Sequence, residues 1–460
     1  MEFLDRKNDI KRIITALARD EKQFIVLYGR RRIGKSTMLR HILSEQKGSV
    51  YFLSDQTSEI HQRMLLAKSI AGTIEGFDKV TYPDWETLFE AFNRQLLHRV
   101  VLCIDEFPYL VKSCPSLPSV LQKLLNTKQL KFDLILCGSS QQLMHGYVLD
   151  RREPLYGLAH EIIRLQPIPT PYIMQALGCN AVEAIEEYAV WGGIPRYWEL
   201  RAQYPTNKHA IHQLLLDPQG VLHEEPVRLL RDDMRDTVQA STLLSVIGNG
   251  ANRVSEIAGR MGKDSTALSE PLANLRELGY VHREVPFGES VKNSKKSIYS
   301  VRDSLFRFYY RFIAPYNSLL ELQRFDMVEQ IIDTHFTKYV SVCWEQLCRD
   351  FVSGREIDGH LYGVASRWWG KIFDNKGESR QVELDVVAES LDKRHVLIAE
   401  CKWTTQEDID RLYADLVSVV PFLPFVKKGQ KVHFAFFCKE FTNPFTWSYC
   451  ISAISHIIIS

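Results

Sequence analysis

Short apolar runs alternate with longer amphipathic segments along the first third of the chain. The runs are rich in β-branched and aromatic residues and are too short for helices, so they predict β-strands. The segments between them repeat apolar residues with the helical period. This alternation is typical of a parallel sheet with crossover helices. The predicted strands are 23–28, 49–54, 99–105, 133–140 and 161–168.

The pattern changes after a Pro-rich patch at 166–172, and residues 173–235 predict helices only. Residues 236–302 then predict three helices followed by two strands around a polar tip, which is the order of a winged helix. Because Pro271 would remove a hydrogen bond inside a helix, the third helix should start near Ser269. Aromatic helices, a long amphipathic helix and further strands follow. The predicted domains are 1–165, 166–235, 236–302 and 303–460.

Composition narrows the class of protein. Hydrophobic residues make up 45% and charged residues 25% of the 460 positions, which excludes a disordered or collagen-like chain. The net charge of +1 gives no global attraction to nucleic acid or membrane, so any such surface must be local. No apolar run approaches the roughly 20 residues that span a bilayer. The charged first residues and nine scattered cysteines predict a cytoplasmic chain with reduced thiols and no membrane partner.

One segment carries a phosphate-binding motif. The sequence GRRRIGKS at 29–36 fits G-x-x-x-x-G-K-S/T, and it stands between a predicted strand and a predicted helix, which distinguishes it from a chance Gly-rich turn. Lys35 should reach the β- and γ-phosphates of ATP, and the Ser36 hydroxyl should ligate Mg²⁺. The expected nucleotide-binding residues are Gly29, Arg30, Arg31, Arg32, Ile33, Gly34, Lys35, Ser36 and Thr37.

Two further strand ends could complete an ATPase site. Asp105 and Glu106 follow a fully apolar strand. Asp105 could hold the Mg²⁺ hydration shell, and Glu106 could polarise the attacking water. The alternative is that this pair only caps a helix. Ser139 could sense the γ-phosphate or simply form a turn. Arg151 and Arg152 could act as an arginine finger in a neighbouring subunit of a homo-oligomer, or be solvated.

Local charge in the predicted winged helix is mixed. The stretch expected to read a major groove contains acidic as well as basic residues, which makes it a poor base-reading surface. The tip of the wing is better suited to DNA phosphates, because it contains Lys292, Lys295 and Lys296. A DNA contact and a purely structural relay both remain open.

Acidic residues recur on two predicted C-terminal strands. If their turn centres on Asp392 and Lys393, the numbers of paired residues add up to 785, so Asp385 faces Glu400 and Glu383 faces Lys402. Two carboxylates about 5 Å apart can share Mg²⁺ or Mn²⁺, with Lys402 orienting water or neutralising charge.

The alternative for this pair of strands is a solvated face of alternating charges. The strands are apolar on both faces, and Glu345 lies within an apolar stripe of the preceding helix, where an unpaired carboxylate is costly. These two facts favour a metal site over a solvated face. They leave an active nuclease and a silent scaffold as the two interpretations.

The motifs GRRRIGKS, VVLCIDE, LILCGSS, PLYG and WGGIPRY occur in order and resemble the archaeal-type ATPase family of AAA+ and STAND-related P-loop ATPases. The resemblance covers residues 1 to about 235 and implies a helical lid after the sheet. It also implies that Pro195 packs near the adenine and that residues 3–10 help to close over the base. The family usually has Arg after PLYG, where this chain has Leu158, so Arg151 or Arg152 would have to substitute.

Residues 303–438 resemble the domain of unknown function that follows this ATPase in many family members, and more broadly the restriction-endonuclease-like PD-(D/E)xK superfamily. That resemblance places Glu345, Asp385, Glu400 and Lys402 on the superfamily's metal-site pattern. The predicted fold is therefore α/β: a P-loop AAA+-type parallel sheet with a helical lid, a winged helix and a restriction-endonuclease-like domain. The function expected is an ATPase coupled to a DNA-acting nuclease, as in genome defence or mobile elements. The alternative is an ATP-dependent regulatory switch that only binds DNA or a protein.

Overall fold

The computed structural model describes residues 5–127, 130–234, 236–292, 294–404 and 408–439, together with the backbone of 448–450. The chain forms two compact units. The first unit comprises Met1–Ile168, Gly193–Glu199 and Leu229–Arg235, and the second comprises Pro169–Gly192, Leu200–Arg228 and Asp236–Ser460. The segment 166–235, predicted as one lid, is thus shared between the two units, and the four-domain division stays a prediction.

A five-stranded parallel sheet organises the first unit, and its strand order is β2-β3-β4-β1-β5. All five strands coincide with runs predicted from the sequence. β3 and β4 are buried along their whole length, because helices cover both faces of a parallel sheet. The strands are β1 Phe24–Tyr28, β2 Val50–Leu53, β3 Val100–Asp105, β4 Phe132–Gly138 and β5 Glu161–Arg164.

The crossover helices of this unit begin at residues suited to that role. Ser58 and Asp84 cap two of them by accepting a hydrogen bond from the backbone three residues on. Leu66, Leu88 and Phe89 on these helices are fully buried. The helices are α1 Lys7–Leu17, α2 Lys35–Ser44, α3 Glu59–Ala71, α4 Trp85–Gln95, α5 Phe107–Ser113, α6 Leu117–Leu125 and α7 Gln141–Met144.

Helices continue from residue 171, as the sequence predicts for 173–235. Within the second unit, Arg201 forms a buried ion pair with Glu187 at 2.6 Å, and Glu187 also accepts a hydrogen bond from the indole of Trp191. A buried charge pair of this kind is tolerated because its hydrogen bonds are made. These helices are α8 Pro171–Leu177, α9 Ala181–Trp191, α10 Pro195–Arg201, α11 Asn207–Ile211 and α12 Glu225–Asp233.

Three helices and a two-stranded antiparallel sheet follow, in the order that the sequence predicts. The third helix starts at Ser269, as expected from Pro271. Helix α14 ends at a left-handed Gly262, which closes the turn before the next element. The elements are α13 Thr237–Gly248, α14 Val254–Met261, α15 Ser269–Glu277, β6 Val281–Glu284 and β7 Ile298–Val301.

The C-terminal part of the second unit is a mixed sheet with order β10-β11-β12-β13-β14, preceded by a 28-residue helix, α18. β11 pairs antiparallel with β12, and β12 pairs parallel with β13. The crossover helix α19 connects β12 to β13. Residues 451–460 lie outside the described part of the chain. The elements are α16 Ser304–Phe308, α17 Asn317–Glu321, α18 Phe325–Val352, β8 Glu356–Ile357, β9 His360–Leu361, β10 Ser366–Phe373, β11 Ser379–Glu389, β12 His395–Lys402, α19 Ile409–Val419, β13 Lys431–Cys438 and β14 Ser448–Cys450.

The eight cysteines in the described ranges form no disulfide with one another, and seven of them are buried. Among these same residues, no helix has both the length and the apolarity needed to span a bilayer.

Candidate ATPase site and carboxylate cluster

The phosphate loop joins β1 to α2, and two glycines allow its shape. A Cβ atom on Gly29 would lie 2.8 Å from the carbonyl oxygen of Leu165, and Gly34 adopts a left-handed φ of 95° at the start of α2. The Lys35 ammonium donates hydrogen bonds to the carbonyls of Gly29, at 2.8 Å, and of Arg30, at 3.0 Å. Burial lowers the pKa of Lys35, while nearby Glu106 and other acidic groups oppose the shift. The loop therefore places a buried cation beside its own backbone.

Tyr51 connects the two residues expected to serve Mg²⁺. Its hydroxyl donates a hydrogen bond of 2.6 Å to the buried Asp105 carboxylate, and it also contacts the Ser36 side chain. Burial, followed by the hydrogen bond to Asp105, raises the pKa of Tyr51. The oxygens of Ser36 and Asp105 are hard donors, which suit Mg²⁺. Sequence reasoning missed Tyr51, because only the order of the strands in the sheet places it beside Asp105.

Glu106 and Ser139 are brought together at the ends of β3 and β4. Glu106 adopts a left-handed φ of 54°, which turns the chain sharply into α5. The Ser139 hydroxyl donates a 2.9 Å hydrogen bond to the Glu106 carboxylate, and the Ser139 backbone N–H lies 3.3 Å from the same oxygen. The serine expected at the γ-phosphate is therefore also a partner of the expected base.

Flanking segments of the first unit contact the phosphate loop. The buried Arg6 guanidinium donates to the carbonyls of Ile33, at 3.0 Å, and of Gln166, at 2.7 Å. A Cβ atom on Gly34 would lie 4.0 Å from Pro195, so Pro195 borders the loop. Residues 3–10 and Pro195 were predicted to lie near the adenine base of ATP. These contacts place Arg6 and Pro195 beside the phosphate loop. Residues 3 and 4 of the N-terminal segment lie outside the described residues.

The other loop residues named from the motif differ in their surroundings. Arg31 forms an ion pair with Asp232, and the Arg30 guanidinium lies 5.9 Å from the centre of the Tyr197 ring. Arg32 adopts a left-handed φ of 67°. Thr37 is exposed at the start of α2. These four residues therefore do not share one environment in the structure. Their part in nucleotide binding stays a prediction.

The arginine-finger candidates lie on an exposed loop. Arg152 forms an ion pair with Asp150 at 3.1 Å and is 87% exposed. Arg151 is also exposed, while Leu158 is partly buried against the core of the first unit. The side chain that replaces the family's usual Arg therefore contributes to packing.

The hairpin of β11 and β12 has the register predicted from its sequence. Val386 pairs with Ala399 and Val387 with Ile398, so the numbers of paired residues add up to 785. Against β10, however, β11 contains one extra residue between Leu384 and Val387. A bulge re-aims the side chains next to it, and this one includes Asp385.

Asp385, Glu400 and Lys402 meet at one place. The carboxyl groups of Asp385 and Glu400 lie within hydrogen-bonding range and share a hydrogen bond when Glu400 is protonated, and the Asp385 carboxylate accepts a 2.9 Å hydrogen bond from the backbone N–H of Cys401. The Lys402 ammonium lies 2.8 Å from the Glu400 carboxylate. The predicted convergence of these three residues is confirmed. The predicted pairing of Glu383 with Lys402 is not observed, because the β11–β12 pairing ends at Val386 and Ala399, before the bulge. Glu383 is exposed and forms an ion pair with Arg367.

Helix α18 adds Glu345 to this group, which we call the carboxylate cluster: Glu345, Asp385, Glu400 and Lys402. Burial, and then the charge of Asp385, raises the pKa of both Glu345 and Glu400 to about 7. Burial opposes the charge on Lys402, but Glu400 and Asp385 together outweigh burial and raise the Lys402 pKa. A divalent cation would relieve the repulsion among three carboxylates, so the donor set fits Mg²⁺ or Mn²⁺.

The polar tip between β6 and β7 contains exposed lysines. Lys292 and Lys295 are exposed, whereas Lys296 forms a 2.6 Å ion pair with Glu289. Of the three lysines predicted to contact phosphates, Lys296 is thus already neutralised within the tip.

Comparison with known proteins gives matches to both units. Residues 3–197 match a family described as an ATPase domain predominantly from Archaea, and residues 309–412 match a family of archaeal and bacterial proteins of unknown function. The uncharacterised protein MJECL04 of Methanocaldococcus jannaschii is 28% identical over 423 residues, which are 90% of this chain and 91% of the relative. The resemblances to the archaeal-type ATPase family and to the domain of unknown function are confirmed at this level, with the ATPase match ending at residue 197. The broader resemblance to the PD-(D/E)xK superfamily stays a prediction.

A solved structure shares the fold. The Walker-type ATPase PABY2304 of Pyrococcus abyssi superposes with a TM-score of 0.50 at 19% sequence identity, and the match covers 67% of this chain and 96% of that one. At this identity the likeness concerns the fold alone. The roles of individual residues rest on the geometry described above.

Proposed function

Because residues 3–197 match the ATPase domains found predominantly in Archaea, we propose that this chain is an ATPase that drives a metal-dependent nuclease acting on DNA. The observation that carries the nuclease part is the carboxylate cluster. Three acidic side chains and a lysine converge beside the paired end of the β11–β12 hairpin, where Asp385 and Glu400 lie within hydrogen-bonding range. Genome defence or mobile-element biology is the setting proposed for such an enzyme.

In the ATPase half, each residue has one task. Lys35 neutralises charge on the β- and γ-phosphates, and the backbone of the phosphate loop donates N–H groups to their oxygens. Ser36 and Asp105 hold Mg²⁺, with Tyr51 fixing both side chains. Glu106 orients the attacking water, and Ser139 keeps the Glu106 carboxylate in place through the 2.9 Å hydrogen bond.

In the nuclease half, Asp385 and Glu400 hold a Mg²⁺ or Mn²⁺ ion, and Glu345 supplies a third carboxylate. A bound divalent cation would polarise the phosphodiester and lower the pKa of a coordinated water. Lys402 neutralises the charge that develops on the phosphate oxygens, since Glu400 keeps it protonated. Lys292 and Lys295 contribute sequence-independent contacts to the DNA backbone.

A regulatory switch is the second candidate, and one observation favours it. The Lys402 ammonium lies 2.8 Å from the Glu400 carboxylate, so the carboxylate cluster already contains a cation that neutralises one of its acidic groups. A retained scaffold with no cleavage activity would have the same internal contacts. In that case ATP would change the assembly of the protein, and the C-terminal sheet would only bind a partner.

The test is an assay of the purified chain on plasmid and single-stranded DNA, with Mg²⁺ or Mn²⁺ and with or without ATP. We expect metal-dependent cleavage that Asp385→Asn abolishes, because this change removes a ligand charge and keeps the volume. Glu383→Gln is the matched control, since Glu383 lies two residues away on the same strand but is exposed. Absence of cleavage by the wild type under all conditions would leave the regulatory switch.

A further inference from the structure

Three histidines meet at the end of β12 that is opposite to Glu400 and Lys402. His360 lies on β9, His395 is the first residue of β12 and His433 lies on β13. Glu400 is five positions after His395 along an extended strand, which corresponds to about 16 Å. The histidine group is therefore distinct from the carboxylate cluster, and it plays no part in the proposed nuclease chemistry.

The imidazole nitrogens lie close enough together to be ligands of one ion. One nitrogen from each ring lies within 4.8 Å of the other two, and the Nδ1 atom of His395 is 2.8 Å from the Nε2 atom of His433. Zinc binds imidazole nitrogen at about 2.0–2.1 Å, so two tetrahedral ligands stand about 3.4 Å apart. This spacing falls within the observed range of 2.8–4.8 Å, and binding would require the stacked rings of His360 and His395 to turn toward the ion.

Local backbone contacts hold the rings in place before any ion binds. The short β8–β9 hairpin is tied to the β11–β12 turn, because the Leu391 N–H donates a 2.9 Å hydrogen bond to the Leu361 carbonyl. The rings of His360 and His395 are stacked with their centres 3.6 Å apart. His395 and His433 lie on paired parallel strands, so their separation is set by the sheet.

The electrostatics favour the neutral imidazole that a metal requires. Burial lowers the pKa of His433, and His395 and His360 lower it further, while Asp358 opposes them. Three imidazoles this close cannot all be protonated without strong repulsion. All three rings are half-buried, so water or an ion can reach them.

We propose that His360, His395 and His433 form a binding site for a divalent transition-metal ion of the zinc class, which clamps the β8–β9 hairpin to the end of the sheet. Imidazole donors select zinc, copper or nickel over magnesium. Three protein ligands leave a fourth position for water. The alternative is a hydrogen-bonded stack of neutral rings that binds no ion.

The test measures metal binding by the full chain after treatment with a chelator. Zn²⁺ is titrated in competition with a chromophoric chelator, and Co²⁺ absorption reports the ligand geometry. We expect one tight equivalent of Zn²⁺ for the wild type, and an affinity lower by about 100-fold for His395→Gln and for His360→Gln, since each removes one of three ligands. Zn²⁺ should also raise the melting temperature of the wild type but not of these variants.

Two control variants check that the tight equivalent of Zn²⁺ binds to the three histidines and not elsewhere on the chain. His335→Gln changes an exposed histidine on α18 and should keep wild-type affinity. Asp385→Asn should also keep the tight equivalent, because it alters only the carboxylate cluster. Circular dichroism in the absence of metal checks that the variants are folded. If His395→Gln does not fold, His360→Gln, which changes the small hairpin, provides the test. Weak or absent Zn²⁺ binding by the wild type, or unchanged binding in both histidine variants, would overturn the proposal.

Discussion

The carboxylate cluster makes the stability of the protein depend on pH in a direction that can be worked out. Folding raises the pKa of Glu345 from 4.5 to about 7, because burial and the charge of Asp385 disfavour the ionised form. A raised folded-state pKa means that the stability is fully present below pH 4.5 and is lost as the pH rises through about 7. Replacing Glu345 with Gln removes this ionisation and keeps the shape of the side chain.

The size of the effect follows from the shift. A rise of the Glu345 pKa from 4.5 to about 7 corresponds to about 3 kcal/mol in the free energy of unfolding. This figure is an upper limit, because Glu400 titrates in the same range and both carboxylates interact with the charge of Asp385. Without divalent cations, Glu345→Gln should therefore be near neutral at pH 5 and stabilising by up to about 3 kcal/mol at pH 8.

Urea unfolding of the full chain, followed by tryptophan fluorescence between pH 5 and pH 8, measures this difference. Trp344 and Trp403 lie 5.5 Å apart and next in sequence to Glu345 and Lys402, so their emission reports on this region. Saturating Mg²⁺ should reverse the advantage of Glu345→Gln at pH 8, because the ion stabilises the charged cluster. Glu383→Gln is the control and should show no such pH dependence. A stability difference between Glu345→Gln and wild type that is the same at pH 5 and pH 8 would refute the reasoning.

Further predictions concern the ATPase site and DNA. Lys35→Ala should weaken ATP binding sharply, as measured by a fluorescent nucleotide, because it removes the cation directed at the phosphates; unchanged affinity would contradict this. Glu106→Gln should retain ATP binding and slow hydrolysis by on the order of 100-fold, since it removes the base and keeps the shape. Tyr51→Phe should raise the Mg²⁺ concentration needed for half-maximal turnover, because Asp105 and Ser36 lose their common partner. Changing Lys292 and Lys295 together to Ala should reduce the salt dependence of DNA binding by about two phosphate contacts for every sequence; an unchanged slope would leave the tip as a structural relay.

Much of the fold could be predicted because its causes are local. The five strands of the first unit are continuous apolar runs, and a two-sided parallel sheet requires such runs. The register of the β11–β12 hairpin followed from its short turn, since the turn fixes the pairing. The start of α15 followed from the single constraint that Pro271 imposes.

The features that sequence reasoning missed depend on partners far away in the chain. Tyr51 contacts Asp105 only because β2 lies beside β3, and the strand order is not encoded within either strand. The bulge at Asp385 is defined against β10, so the hairpin alone does not reveal it. His360 and its two histidine neighbours have no spacing motif, because three separate strands bring them together.

The position of β12 in its sheet also determines how the C-terminal region must fold. β12 follows β11 closely in sequence and pairs with it across a short turn, whereas the crossover segment separates β12 from β13, so this second pairing has a larger cost in loop-closure entropy and should form later. Until then the apolar strand β12 exposes a long row of unpaired N–H and C=O groups, and such an edge promotes aggregation. A nascent or truncated chain that stops before Lys431 should therefore depend on chaperones for its solubility, while the full chain should not.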